Sequence, residues 1–508
     1  MKTLLSSFMM VLIFTTGFSQ KPDYKRTNTS KQYVRKNATS PSAKADLDAM
    51  ADAFEIMRSI RCDAGRSWYY QGAIHNIPAK IIGANKLCAL YETEKDKLFA
   101  WGDCTHAVKT DTLAKEKAAL HFLLWHRLYT WHLEKIVRKL SCKEDFAIPF
   151  WNYGSDIVDE NRLPSQLQDP TNALYEQSRY SLLNNGYPID DSTRMDIGLQ
   201  LNSLATTTPF GGETGFSQIL EASPHGLMHD YIGADGKEIL WNEIYQDSMS
   251  GLMANVPSAG FDPVFWLHHS MVDRIWWEWD NSEYGSRPTL EELKEYPWEY
   301  NFIEPNGDEI TYSLEEVYAI VFDPDYTYED VEEPQILAEV QSPSMPTSLK
   351  DAFASSKKMK KSVQQGGETL LWKHGFNRVI GNKPFKHLVS KDNAKKTIKH
   401  FKKAQPSKLV LRINVVVYKE PGHYFTVFLR YKDQPDKYLG MMTFFGVNHH
   451  HGVQHHHSLG EEGAKLSFAY EISDDLVDTN DEFEIIINKR GDSKAKVTVE
   501  TMSLSAIN

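Results

Sequence analysis

The sequence predicts a mainly helical domain followed by an antiparallel β sandwich, and three observations carry that expectation. Apolar residues recur three and four apart through much of residues 45 to 290, short alternating β-branched runs fill the chain beyond residue 368, and a Pro-, Ser- and Lys-rich stretch separates them. At 508 residues, 41% hydrophobic and 24% charged, the chain is long enough for two or three domains with substantial cores.

The elements follow in chain order. Residues 1–20, "MKTLLSSFMMVLIFTTGFSQ", combine one Lys, an apolar run and small residues near Gln20, the pattern of a secretory signal peptide. Secretion or delivery to the periplasm is therefore expected, and the run is short for a membrane anchor. No later segment reads as membrane-spanning. Residues 21–43 are polar and aperiodic and read as a flexible leader. In residues 44–330, "ADLDAMADAFEIMRSI", "EKAALHFLLWHRLYTWHLEKIVRKL" and "DPVFWLHHSMVDRIWWEW" read as helices buried on one face. Residues 331–367 have a linker composition that an activating protease could reach. Residues 368–508 hold strand-like runs such as "KLVLRINVVVYKE", "HYFTVFLRYK" and "EFEIIINKR".

Charge and cysteine narrow the function classes. Lys and Arg number 56 against 68 Asp and Glu, a formal charge of -12 with no basic excess for a phosphate backbone, so no nucleic-acid partner is expected. Four cysteines, Cys62, Cys88, Cys104 and Cys142, are too few to staple a chain of this length.

The densest histidine cluster is "NHHHGVQHHHS", Asn448 to Ser458, between two predicted strands. It reads as a loop, solvated or weakly metal-binding, and not as the seat of catalysis. The dispersed histidines of the helical half carry more weight. His225 and His229 in "PHGLMH" share one helical face and can bind one ion, while Gly226 stands where a zinc peptidase would need its Glu. Adjacent His268 and His269 point about 100° apart on a helix, which leaves one facing a given metal and the other packing or supporting it. His126 shares a stripe with Phe122 and Tyr129, whereas His121 and His132 read as structural.

Taken in order, "FLLWHRLYTWHLEK", "EASPHGLMH" and "DPVFWLHHSMVDRIW" resemble the copper-binding regions of the type 3 copper family: tyrosinases, catechol oxidases, polyphenol oxidases and mollusc-type hemocyanins. The resemblance spans roughly residues 55 to 280. It implies a dicopper four-helix-bundle domain in which three histidines hold each of two copper ions, with dioxygen and a small phenol as partners. His75, His126, His225, His229 and His269 match family ligands.

The sixth ligand usually lies nine residues before the "WHR" histidine, but here that residue is Lys117, which cannot bind copper while protonated. The resemblance points to His106 in "WGDCTH", with Cys104 joined to its ring by a thioether; Cys104 as a disulfide partner stays open. Glu221 matches a Glu that holds a water over the copper pair, and Phe265 an aromatic near the substrate entrance. Asp273, with Arg127 and Arg274 as partners, is placed to orient the ligand shell. Gly226 replaces an Asn that helps position the water in many tyrosinases, and Asp230 could offset that loss.

The C-terminal half is similar to the extra domain of plant-type polyphenol oxidases, with "YPWEYNFIEPNG" approximating a segment they carry before it. The resemblance implies an exported oxidase of o-diphenols, monophenols or o-aminophenols, latent until that domain is removed. Two other readings use parts of the same sequence: a hemocyanin-like oxygen carrier with the pocket closed to phenols, and a copper-sequestering protein built on the His-rich loop.

Overall fold

The computed structural model describes residues 33–76, 112–207, 209–282, 284–296, 298–329, 368–394, 408–418, 421–432, 434–446, 463–472, 482–491 and 496–507, with side chains from 120 and 369 in the two segments that open at 112 and 368. The signal peptide, the linker, Cys104, His106 and the loop from Asn448 to Ser458 lie outside the described residues.

The helical half is arranged about helix α3. Helices α1 (Lys44–Ser59), α2 (Trp68–His75), α3 (Thr112–Ser141), α4 (Asp191–Ala205), α5 (Phe216–Leu220), α6 (Leu227–Ile232) and α7 (Val264–Asp280) supply most of its core. From Leu120 to Glu134 every residue of α3 is buried, which marks a central helix wrapped by its neighbours rather than an amphipathic one at the surface. It packs against α1 and α7. Ser67 caps α2, its hydroxyl accepting from the Tyr70 amide at 3.0 Å, so the short helix that presents His75 begins at a fixed point.

Three two-stranded sheets trim this half: β1 (Tyr33–Arg35) with β6 (Tyr326–Tyr328), β2 (Leu240–Asn242) with β3 (Asp247–Met249), and β4 (Tyr300–Ile303) with β5 (Glu309–Tyr312). The first corrects an expectation. Within the stretch read as a flexible leader to Ala43, the described residues from Tyr33 onward are part of the fold: β1 pairs in parallel with β6 and Arg35 is wholly buried. Its polar composition misled because the buried group is a guanidinium, held by Glu134 at 2.9 Å and Asp273 at 2.9 Å.

The C-terminal half is an antiparallel region of two four-stranded sheets. One runs β11 (Lys437–Met442), β10 (Tyr424–Tyr431), β13 (Phe483–Arg490), β8 (Phe385–Val389); the other runs β12 (Ala464–Glu471), β9 (Lys408–Val417), β14 (Val497–Ile507), β7 (Glu368–Ile380). Apolar residues of both sheets share one core, including Leu411, Ile413, Val427, Ile485 and Leu504. Strand β11 also reaches the helical half, where Met441 joins its core.

Candidate metal centre

Five of the six histidines singled out from the sequence lie in described segments, and they converge. His75 ends α2, His126 lies midway along α3, His225 and His229 flank the start of α6, and His269 lies on α7. Ring centroids are 5.6 Å apart for His75 and His126, 4.3 Å for His126 and His269, 5.1 Å for His225 and His269, and 4.5 Å for His225 and His229.

The backbone sets which nitrogen faces inward. Nδ1 of His75, His126, His225 and His229 lies 3.0, 2.8, 2.8 and 2.8 Å from the carbonyls of Val256, Phe122, Glu221 and Met253. A carbonyl only accepts, so Nδ1 carries the proton and the Nε2 lone pair is the metal donor. The segment bearing His225 is a π-helical turn, Glu221–Gly226, broken by Ser223 in an extended conformation, a local departure from α geometry of the kind that re-aims side chains at functional sites.

Burial keeps the rings neutral, the form that binds metal. It lowers His126 to about 3 and, with the help of neighbouring imidazoles, holds His225 and His269 well below the usual range. His268 is likewise lowered to about 3, by burial and then by His126.

His268 departs from the reading given by the helical wheel. His225, His229, His268 and His269 are all buried and offer ligand atoms within 4.8 Å of one another. His268 is therefore inside the cluster, 4.8 Å from His229 and 5.3 Å from His225 between centroids, not behind it. The 100° step fixes where Cα–Cβ bonds point, but His225 on the π-helical turn and His229 on α6 each approach both rings. Neither nitrogen of His268 or of His269 has a hydrogen-bond partner among the described residues. Buried imidazoles left this way are costly unless a metal takes the lone pair, and an all-imidazole donor set suits copper.

The other histidines of α3 are structural, as read. His121 Nδ1 meets the Tyr300 hydroxyl at 2.7 Å, and His132 lies between the Ile303 carbonyl and the Tyr312 hydroxyl at 3.1 Å each. Both are thus claimed by the β4–β5 hairpin.

Phe265 lies among the histidines, 4.2 Å from His269 and 4.8 Å from His75 between ring centroids. Glu221 is buried at the start of the π-helical turn, and Asp230 is half-buried on α6. Asp273 differs from its expected role. It touches no histidine ring by hydrogen bond; it accepts from Arg127 at 2.5 Å, Arg35 at 2.9 Å, and the hydroxyls of Tyr326 and Tyr328. Burial alone would raise its pKa, but the two guanidinium groups outweigh it and hold the carboxyl below its ordinary value. Arg274 is not its partner: that side chain donates to Asn152 at 3.2 Å and lies over Phe150. Arg35, absent from the sequence reading, takes that place.

A further group comes from the C-terminal half. Phe445, just past β11, stacks on His229 at 4.2 Å and 20° and meets His225 edge-on at 5.8 Å. Around it, Thr443 donates to the Ala222 carbonyl at 2.7 Å and Ser223 donates to the Met441 sulfur at 3.1 Å. Gly226 lies beneath: a Cβ there would come within 3.3 Å of Phe445 Cβ and of Thr443 Oγ1. The sequence marked Phe445 only as part of a strand-like run.

Comparison with known proteins places this geometry. The family model described as the common central domain of tyrosinase matches residues 65–214 and 168–282. A tyrosinase of Hahella sp. (strain CCB-MM4) is 23% identical over 499 residues, covering 89% of this chain and 95% of that protein. The chloroplastic polyphenol oxidase C of Solanum lycopersicum is 29% identical over 211 residues, 37% of this chain but only 33% of that enzyme. Among solved structures, a latent aurone synthase (polyphenol oxidase) aligns with TM-score 0.59 at 18% identity over 97% of this chain and 93% of its own. A latent apple tyrosinase aligns with TM-score 0.59 at 20% identity over 95% and 99%. At such identities the structures speak for the fold alone, while the family model and the sequence relatives carry the assignment. Its helical core with converging imidazoles and its matched central domain make this chain a member of the type 3 copper tyrosinase and polyphenol oxidase family, oxidases built on a dinuclear copper centre.

Proposed function

We propose that the chain is an exported oxidase that converts o-diphenols to o-quinones with dioxygen, extends to monophenols or o-aminophenols, and is held latent by its C-terminal half. In this reading His75, His106 and His126 hold one copper and His225, His229 and His269 the other, inside a bundle formed by α2, α3, the run 216–232 and α7. When bound, the copper pair supplies two-electron redox chemistry toward dioxygen. The protein's own groups do the rest. The backbone carbonyls fix each imidazole tautomer, the Glu221 carboxylate accepts the phenolic proton, and Phe265 orients the ring of the substrate.

Latency rests on one observation: Phe445 stacks against His229, where the ring of a phenol approaching the cluster would have to lie. The two sheets then act as a sandwich-like cover, and cleavage within 331–367 by a protease would let it leave. Residues 1–20 serve export. The test is to load the full chain and the cleaved chain with copper and add catechol under air. Quinone absorbance that rises faster in the cleaved chain supports the reading. Equal rates would remove latency, and no quinone from either chain would favour an oxygen carrier.

A further inference from the structure

β7 and β8 are edge strands, one in each four-stranded sheet. Their core-side residues are unusual. On β7, Trp372 pairs with Leu504 and His374 with Met502; on β8, His387 pairs with Ile485, and all three partners are fully buried between the sheets. Paired residues project to the same side, so two imidazoles lie on faces otherwise lined by Leu, Ile and Met. The His374 and His387 rings are 4.8 Å apart at 31°. Trp372 stacks with both, at 6.2 Å and 5.5 Å, and Phe376 closes on both at 4.5 Å and 4.7 Å.

Neither imidazole makes a hydrogen bond to the described residues; His387 is half-buried and His374 is exposed at the sheet edge. Side by side on facing strands, the two rings offer an arriving ion a pair of imidazole donors that solvent reaches through His374. The available donors are neutral nitrogen and thioether sulfur, the indole face adds attraction for a cation, and none of these side chains is a carboxylate. Such a set prefers a soft monovalent ion to calcium, magnesium or zinc. We propose that His374 and His387, with Met502 between the sheets and Trp372 as an aromatic wall, form a second metal site for a copper(I)-like ion, separate from the dinuclear centre and independent of the oxidase reading.

Silver(I), redox-inert and similar in preference, is the probe. The full chain loaded with copper is used in a background where His449, His450, His451, His455, His456 and His457 are replaced by Ser and the exposed free thiol Cys142 by Ala, so that neither the cluster nor the thiol binds the probe. Equilibrium dialysis with metal analysis should find one silver per chain beyond the retained copper. His374→Ala with His387→Ala should abolish that uptake while the copper content and thermal unfolding midpoint stay as in the background. Met502→Leu, which preserves packing volume, should weaken silver binding by about tenfold. Unchanged uptake in the double variant, no uptake in the background, or displacement of silver by an equal concentration of zinc would each overturn the proposal.

Discussion

Replacing Phe445 by Ala tests the proposed latency where the C-terminal half meets the histidines. The side chain is half-buried, stacked on His229 and packed over Gly226. Truncating a fully buried Phe costs about 3–5 kcal/mol, so half of that, about 2 kcal/mol, is the docking energy removed here. The loss falls on the docked arrangement, because the ring is solvated once the sheets move away. At 1.4 kcal/mol per factor of ten, the open population rises roughly 30-fold. The assay is the initial rate of catechol oxidation by the copper-loaded full chain, with the chain cleaved within 331–367 as the upper limit. Phe445→Ala should recover much of the difference and leave the rate of the cleaved enzyme unaltered. A cleaved chain far faster than Phe445→Ala, with the variant no faster than wild type, would show that this ring does not control access.

Three further outcomes follow from the same geometry. His269→Ala should reduce bound copper from two ions per chain toward one, measured by metal analysis, and an unchanged count would remove His269 from the ligand set. Asp273→Asn leaves Arg35 and Arg127 buried without their shared carboxylate, so it should lower stability by about 3–5 kcal/mol in thermal or denaturant unfolding; a loss under about 1 kcal/mol would refute its role as an anchor. Asp196 on α4 faces Tyr424 at 2.9 Å and Arg490 at 3.6 Å from the C-terminal half, with Asp190 nearby, and burial raises its pKa to about 6 despite Arg490. A raised carboxyl pKa means the docked form holds its proton longer, so docking is strongest below the ordinary carboxylate value and weakens as pH rises through about 6. The activity of the full chain relative to the cleaved chain should climb between pH 5 and 7, and Asp196→Asn should flatten that slope.

The sequence was most informative where chemistry constrains spacing. His225 and His229 one turn apart, His126 in an apolar stripe and His269 on a buried helix all reach one cluster. The antiparallel strands of the C-terminal half and the existence of α3 were legible from periodicity, whereas the burial of α3 on every face was not. Contacts made across long separations were not. For His268, a helical wheel speaks for directions on α7 and is blind to the π-helical turn of residues 221–226, whose His225 approaches it from another element. Arg35 was hidden in a polar stretch, because burial of a guanidinium depends on carboxylates more than 90 residues away. Phe445 carried no local sign, since what distinguishes it from Phe444 is a neighbour on the other half of the chain; Phe444 packs in the core between the sheets.

The pairing of β1 with β6 also has a bearing on how the helical half is completed. Arg35 arrives from near the start of the described residues and Tyr326 and Tyr328 from the last strand of the helical half, and all three meet at Asp273, one turn beyond His269. The ring of groups that seats α7 thus closes only when both ends of the domain are present. A fragment cut after residue 35 or before residue 326 would retain every histidine of the cluster and still lack the clasp that holds one of its helices in place. A protease that cuts inside Tyr33 or Glu329 therefore removes part of the clasp while leaving untouched the residues that carry the chemistry.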